Sequence, residues 1–137
     1  MAKRGKLVVD IDGTLCPIKT VDENYSDLVP FPAMVKMLRA YAADGFEIVL
    51  HTARNMKTYE ANLGLINKHT GPVLTEWLEK WEIPYDELYL GKPWPGVDGF
   101  YVDDRAVRPD EFLKFSRADL EKIMADGRAS LKHGSLK

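Results

Sequence analysis

The sequence predicts an α/β fold organised as a doubly wound parallel sheet in one domain spanning residues 1–137. Three observations carry this expectation. Short apolar runs alternate with segments of helical periodicity, the pattern of strands covered by crossover helices. The chain has 137 residues, enough to bury one sizeable core and too few for two. Each apolar run passes directly into polar, chemistry-bearing residues, and a parallel sheet delivers all of these to the same edge.

The first apolar run covers residues 7–9 and drives into Asp10-Ile11-Asp12-Gly13-Thr14, with Gly13 as the break at its end. Residues 16–31 form the longest irregular stretch, holding Pro17, Tyr25 and Pro30, and read either as a surface loop or as a lid beside the acids. Pro32–Ala43 sets Met34, Met37, Leu38 and Tyr41 at helical spacing, with Asp44-Gly45 as the stop. A second strand is expected over 46–50. A short helix over 62–68 should end at Gly71-Pro72, and a second helix over 73–81 carries Val73, Leu74, Trp77, Leu78 and Trp81 on one face. Strands three and four are expected at 88–90 and 100–102. Two terminal helices come after them, over 109–115 and over Arg117–Lys132, the latter capped by Ser116 with Asp119 in its first turn.

The bulk properties exclude several classes. Hydrophobic residues make up 45% and charged residues 29%, ordinary for a soluble globular protein. A net charge of −2 and a pI near 5.9 argue against a nucleic-acid binder, which would carry a basic excess. The single cysteine, Cys16, forbids an internal disulfide and points to a reducing compartment. No run reaches the roughly 18 apolar residues of a membrane span, and the basic start is followed by too short an apolar stretch for a signal peptide. The expectation is a cytoplasmic protein with no membrane partner.

The chemistry concentrates after the strands. Asp10 and Asp12 come after the first, His51-Thr52-Ala53-Arg54 after the second, Gly91-Lys92-Pro93 after the third and Asp103-Asp104-Arg105 after the fourth. Two carboxylates at the mouth of a buried strand are costly unless compensated, and a hard cation such as Mg²⁺, which takes few protein oxygens plus substrate phosphate, is the natural compensation. His51 reads as a packed or solvated histidine, and Cys16 as a small packing residue with no base placed to activate it. Trp77, Trp81 and Trp94 read as core or interface. Arg54, Arg105 and Arg108 either meet a second anionic group of a substrate or balance the acidic cluster.

In order and type, Asp10-Ile11-Asp12-Gly13-Thr14, then Thr52, then Lys92, then Asp103-Asp104 resemble the four motifs of the haloacid dehalogenase-like phosphatases, over a span from about Leu7 to Arg108. Thr52-Ala53-Arg54-Asn55-Met56, Gly91-Lys92-Pro93 and Val102-Asp103-Asp104-Arg105-Ala106 further resemble the small, capless members associated with bacterial capsule and surface-sugar biosynthesis. The resemblance implies a Rossmann-like core without a large cap domain. It implies that Asp10 is the nucleophile forming an aspartyl-phosphate. Asp12 then protonates the leaving oxygen and later assists water. Mg²⁺ would be held by the Asp10 carboxylate, the Asp12 backbone carbonyl and Asp103. Thr52, Lys92 and Arg54 would meet the substrate phosphate. Asp104, orienting Lys92 or a metal-bound water, and Thr14 would support these groups from behind. The implied substrate is a small phosphorylated metabolite, a sugar or polyol phosphate. An open site further suggests a homo-oligomer in which a neighbour closes the pocket. The competing reading is a receiver-like phospho-acceptor signalling module. It uses the same residue types in a different order, with the acidic pair early and the phosphorylated aspartate later.

Overall fold

The computed structural model describes residues 4–132 and divides into two compact units, Met1–Trp94 and Pro95–Lys137. In the first unit, β1 (Gly5–Asp10), α1 (Pro32–Ala43), β2 (Phe46–Thr52), α2 (Leu63–Lys80) and β3 (Glu87–Leu90) alternate along the chain. The strands form a parallel sheet in the order β1-β2-β3. The expected α/β class with a parallel sheet is therefore what the chain forms.

The register fixes the chemistry. Val8 pairs with Val49 and Asp10 with His51, while Thr52 pairs with Leu90, so β1, β2 and β3 end at one edge. Asp86 sets the last strand in place: Ile48 N donates to its carboxylate at 2.8 Å and its own amide returns a 2.8 Å bond to Ile48 O.

Both crossovers step the same way along the sheet, and right-handed connections then put α1 and α2 on the same face. Val9, Ile48, Leu50 and Thr52 point to that face and are buried, against Met34, Val35 and Leu38 of α1 and Ile66, Leu74, Trp77 and Leu78 of α2. The alternate residues face the other way. There Lys6 Nζ bonds Glu87 at 2.9 Å and Tyr89 donates to Glu87 at 3.0 Å, with Val8 and Tyr89 exposed. Within this unit the helices cover one face of the sheet.

The helix α1 has the expected bounds because its signals are local. Pro32 occupies the first turn, where its missing N–H costs nothing, and Gly45 closes the end at φ 101°. The expected break at Gly71-Pro72 does not occur: α2 runs through it as one helix of 18 residues. Ile66, Thr70, Leu74, Trp77 and Leu78 form one buried stripe, in phase on both sides of Pro72. That continuous burial outweighs the one backbone bond Pro72 removes. Asn62 starts the helix by accepting from Leu65 N at 3.1 Å.

Residues 16–31 divide into two parts. Ile18 and Val21 are exposed, whereas beyond the 3-10 turn Tyr25–Asp27 the chain is anchored at particular residues. Trp77 Nε1 donates to Leu28 O at 2.7 Å, Leu28 is buried, and Phe31 N donates to Leu15 O at 2.8 Å.

In the second unit α3 (Pro109–Lys114) and α4 (Arg117–Lys132) match expectation. Ser116 and Asp119 cap α4 reciprocally, Asp119 N on Ser116 Oγ at 3.2 Å and Ser116 N on Asp119 Oδ2 at 3.4 Å. Phe112 and Leu120 are its buried side chains. The expected strand at 100–102 is not formed; Phe100 and Val102 are 80% and 89% exposed. Three apolar residues make a strand only when a neighbour completes the ladder. The turn before them is also tight, since a Cβ on Gly99 would collide with the carbonyl oxygen of Pro95. Among the described residues no helix is long and apolar enough to cross a membrane.

Candidate active site

The edge where β1 and β2 end is built by one sharp turn. After Asp10 the amides of Thr14, Leu15 and Cys16 all donate to the carbonyl of Ile11, at 3.2, 2.8 and 3.2 Å. Gly13 sits at φ 87° and returns a 2.7 Å bond to Cys16 O. Ile11 and Leu15 are wholly buried by this turn. Burying the apolar residues between them leaves Asp10 and Asp12 at the edge of the core.

Each carboxylate has its own cation. Lys92 Nζ lies 3.3 Å from Asp10 Oδ1, and Thr14 Oγ1 approaches Asp10 Oδ2 at 3.5 Å. Lys92 is brought there by the ladder, which its amide extends one step by donating to Thr52 O at 3.0 Å. Arg54 Nε lies 3.1 and 3.0 Å from the two oxygens of Asp12, and Thr52 Oγ1 donates to Asp12 Oδ2 at 3.2 Å. Thr52 Oγ1 in turn accepts from Arg54 N at 3.1 Å.

Arg54 is the unexpected member. Its side chain is 1% exposed, against 24% for Asp12. The guanidinium carbon lies 4.2 Å from the centroid of the Tyr25 ring and 5.8 Å from that of Trp77, and Nη2 points to Cys16 Sγ at 3.8 Å. Nη1 is buried without a hydrogen-bond partner. Arg54 forms its ion pair with Asp12. The pairing spans 42 positions in sequence and leaves no local signal.

The neighbouring titratable groups are tuned by burial. The Cys16 thiol is pushed up to about 12, by desolvation first and then by the Asp12 charge, so it is a neutral packing group. Tyr25 is raised by the same two causes in the same order. His51 is held below the usual histidine value by burial and then by Lys92, with Asp10 opposing, so it is neutral at pH 7.

Sequence reasoning places Asn55 within Thr52-Ala53-Arg54-Asn55-Met56 but gives it no role of its own. It adopts φ 61°, a conformation asparagine tolerates better than most residues. Its side chain accepts from Thr70 of α2 at 2.6 Å and donates to Thr58 at 3.3 Å, turning the chain away after Arg54. An asparagine, which tolerates this conformation, immediately after a candidate site residue is the only sequence signal for that turn. Beyond it Lys57 lies 5.7 Å from the ring of Trp94, a half-exposed pair in the same unit as the acids.

The structure thus brings together Asp10, Asp12, Thr14, Thr52, Arg54 and Lys92. Asp103 and Asp104 belong to the second unit. There Asp103 Oδ1 accepts from Arg105 N at 2.8 Å, Asp104 pairs with Arg128 at 3.5 Å, and Arg108 N donates to Glu111 at 2.9 Å. Among the described residues, no three His, Cys, Asp or Glu side chains form a metal-holding group. The Asp10 carboxylate and the Asp12 carbonyl are hard oxygen donors, the kind Mg²⁺ takes one or two at a time.

A Vibrio cholerae protein of known crystal structure is 50% identical to this chain, covering 90% of it and 98% of its own length, with a TM-score of 0.85. A chain from the structure of a Pnkp1/Rnl/Hen1 complex aligns with 82% of this chain and 34% of itself at 19% identity and a TM-score of 0.47. No family model and no curated protein matches the chain.

Proposed function

The chain belongs to the same family as the Vibrio cholerae protein, and from the chemistry of its site we propose that it is a Mg²⁺-dependent phosphomonoester phosphatase of the haloacid dehalogenase-like type. One observation carries the reading: Asp10, Asp12, Thr52 and Lys92 converge at the ends of three parallel strands, with a lysine 3.3 Å from the first carboxylate and a hydroxyl 3.2 Å from the second. A nucleophile, a proton carrier and two groups able to hold phosphate oxygens are within reach of one phosphorus atom.

In this reading the Asp10 carboxylate attacks phosphorus and the bond to the ester oxygen breaks, leaving an aspartyl-phosphate. Asp12 takes up a proton from the phosphate monoanion as the ester binds, passes it to the departing oxygen and is left as the carboxylate that Arg54 and Thr52 hold. Asp12 then takes a proton from the water that attacks the aspartyl-phosphate, and inorganic phosphate leaves with Asp10 restored. Lys92 moves its charge from Asp10 to the phosphate oxygens as negative charge gathers there, and Thr52 donates beside it. Mg²⁺ would be held by the Asp10 carboxylate, the Asp12 backbone carbonyl and Asp103, and would supply the charge that lets two anions meet. Asp104 and Thr14 would support this set.

In the same reading the chain is a single, doubly wound Rossmann-like domain without a large cap, open enough for a sugar or polyol phosphate of surface-polysaccharide synthesis. A cytoplasmic location and a homo-oligomer that closes the site complete it. A receiver-like phospho-acceptor would use the same Asp10–Lys92 pair but, turning over slowly, would not need the acid-base group that Asp12 supplies.

The test is phosphate release from p-nitrophenyl phosphate and a panel of sugar phosphates with Mg²⁺, comparing the parent with Asp10→Asn. The parent is expected to turn over and the variant to be silent while still folded. A variant within about tenfold of the parent, a loss of only ~1.4 kcal/mol, would overturn the assignment of Asp10, and no release by the parent would overturn the activity.

A further inference from the structure

We propose that Arg54 is a positioning residue that holds the Asp12 carboxylate in place for proton transfer to the leaving group, and that it does not touch the substrate. The inference rests on the phosphatase reading.

Three features support it. First, Nε is centred on the carboxylate, 3.1 and 3.0 Å from its two oxygens, and the Thr52 hydroxyl adds a 3.2 Å bond to Oδ2. Three contacts from the end of one strand fix both the place and the rotation of the group. Second, the guanidinium is enclosed. It lies over Tyr25 at 4.2 Å, with Trp77 and the Cys16 sulfur also close, and its side chain is 1% exposed. A phosphate cannot reach a group so covered, whereas Asp12, at 24%, keeps an open side. Third, Nη1 is buried with no partner. A fold optimised only for stability would not retain that cost; such exceptions cluster where geometry serves chemistry.

The consequence for the reaction is specific. As the bond from phosphorus to the ester oxygen breaks, that oxygen must take the proton from Asp12 if it is a poor leaving group. It needs no proton if it departs as a stabilised anion. A misplaced Asp12 therefore slows departure of an alkyl oxygen far more than that of an aryl oxygen, while its later work on the attacking water is common to both, so the selectivity is read in kcat/KM, which covers the steps up to that departure. A merely structural arginine would slow both alike.

The experiment compares kcat and KM for an alkyl phosphate, glucose 6-phosphate, and for p-nitrophenyl phosphate, in the parent, Arg54→Gln, Arg54→Lys, Asp12→Asn and the Arg54→Gln/Asp12→Asn double variant. Thermal melting checks that each is folded. Arg54→Gln is expected to lose about a hundredfold or more in kcat/KM on the alkyl ester and less than about tenfold on the aryl ester. Arg54→Lys keeps the charge without the fixed Nε–H and recovers part of the loss on the alkyl ester. The double variant should be no slower than Asp12→Asn, since both changes remove one function. If the parent is active but Arg54→Gln loses equally in kcat/KM on both esters, the inference falls and the phosphatase reading stands. If Arg54→Gln does not fold, Arg54→Lys decides by the same selectivity. If the parent releases phosphate from neither ester, the reading falls and this inference with it.

Discussion

Lys92 Nζ stands 3.3 Å from Asp10 Oδ1, so the proposed nucleophile carries a counter-ion before any phosphate arrives. The pair is partly enclosed, with Lys92 at 13% and Asp10 at 30% side-chain exposure. Exchanging one anionic partner for another lets the lysine meet a phosphate without having to be desolvated afresh. Lys92→Ala is therefore expected to raise KM and lower kcat together. A hydrogen bond to a charged group contributes about 1.5–3 kcal/mol, which predicts a loss in kcat/KM of roughly tenfold to 150-fold. Steady-state kinetics checks this, and a change below about threefold would contradict it. Thr14→Ala, removing a contact at 3.5 Å, should have far less effect.

The two acids should differ in stability as well as in chemistry. Asp12→Ala leaves Arg54, at 1% exposure, without the carboxylate that neutralises it. Breaking a buried pair from one side costs about 3–5 kcal/mol. Asp10→Ala leaves Lys92, whose flexible stem can carry its charge to water, at a cost below about 1 kcal/mol. Urea unfolding of the two variants measures the difference, and coincident midpoints would refute it.

Cys16 gives the fold an alkaline limit. Its thiol is raised from the usual 9.0 to about 12 in the folded chain. A raised value means the folded state holds the proton more tightly. The stabilisation is complete below about pH 9 and is lost as pH climbs from there towards 12, at up to ~1.4 kcal/mol per pH unit. The parent should lose stability over that window more steeply than Cys16→Ala, as read by denaturant unfolding at pH 8, 9 and 10. Parallel slopes would show that the thiol is not responsible. Iodoacetamide should label Cys16 quickly only after unfolding.

The parts of the structure legible in the sequence are those with local causes. Leu7-Val8-Val9 and the acids after it, α1 with Pro32 and Gly45, and the Ser116 cap each announce themselves within a few residues. The convergence of Asp10, Asp12, Thr52 and Lys92 is legible too, because a parallel sheet sends the residues after each strand to one edge. Pro72 looks like a stop in sequence because a proline's cost is local, while the stripe from Ile66 to Leu78 that overrides it is collective. The run 100–102 looks like a strand because hydrophobicity is visible in sequence and a pairing partner is not. The direction of Arg54 is hidden for the same reason: Tyr25, Asp12 and Cys16 surround it from distant positions.

The division of residues 16–31 also bears on engineering. The crest around Val21, 96% exposed, ends where Tyr25 meets Arg54 and where the Trp77 indole clasps Leu28. Chain added within 19–22 meets solvent, and the entropy of a longer loop grows only slowly with its length. That crest is where a protease should nick first and where a reporter or a whole domain can be inserted. The same insertion a few residues later, between Tyr25 and Phe31, would pull the floor from under the acids.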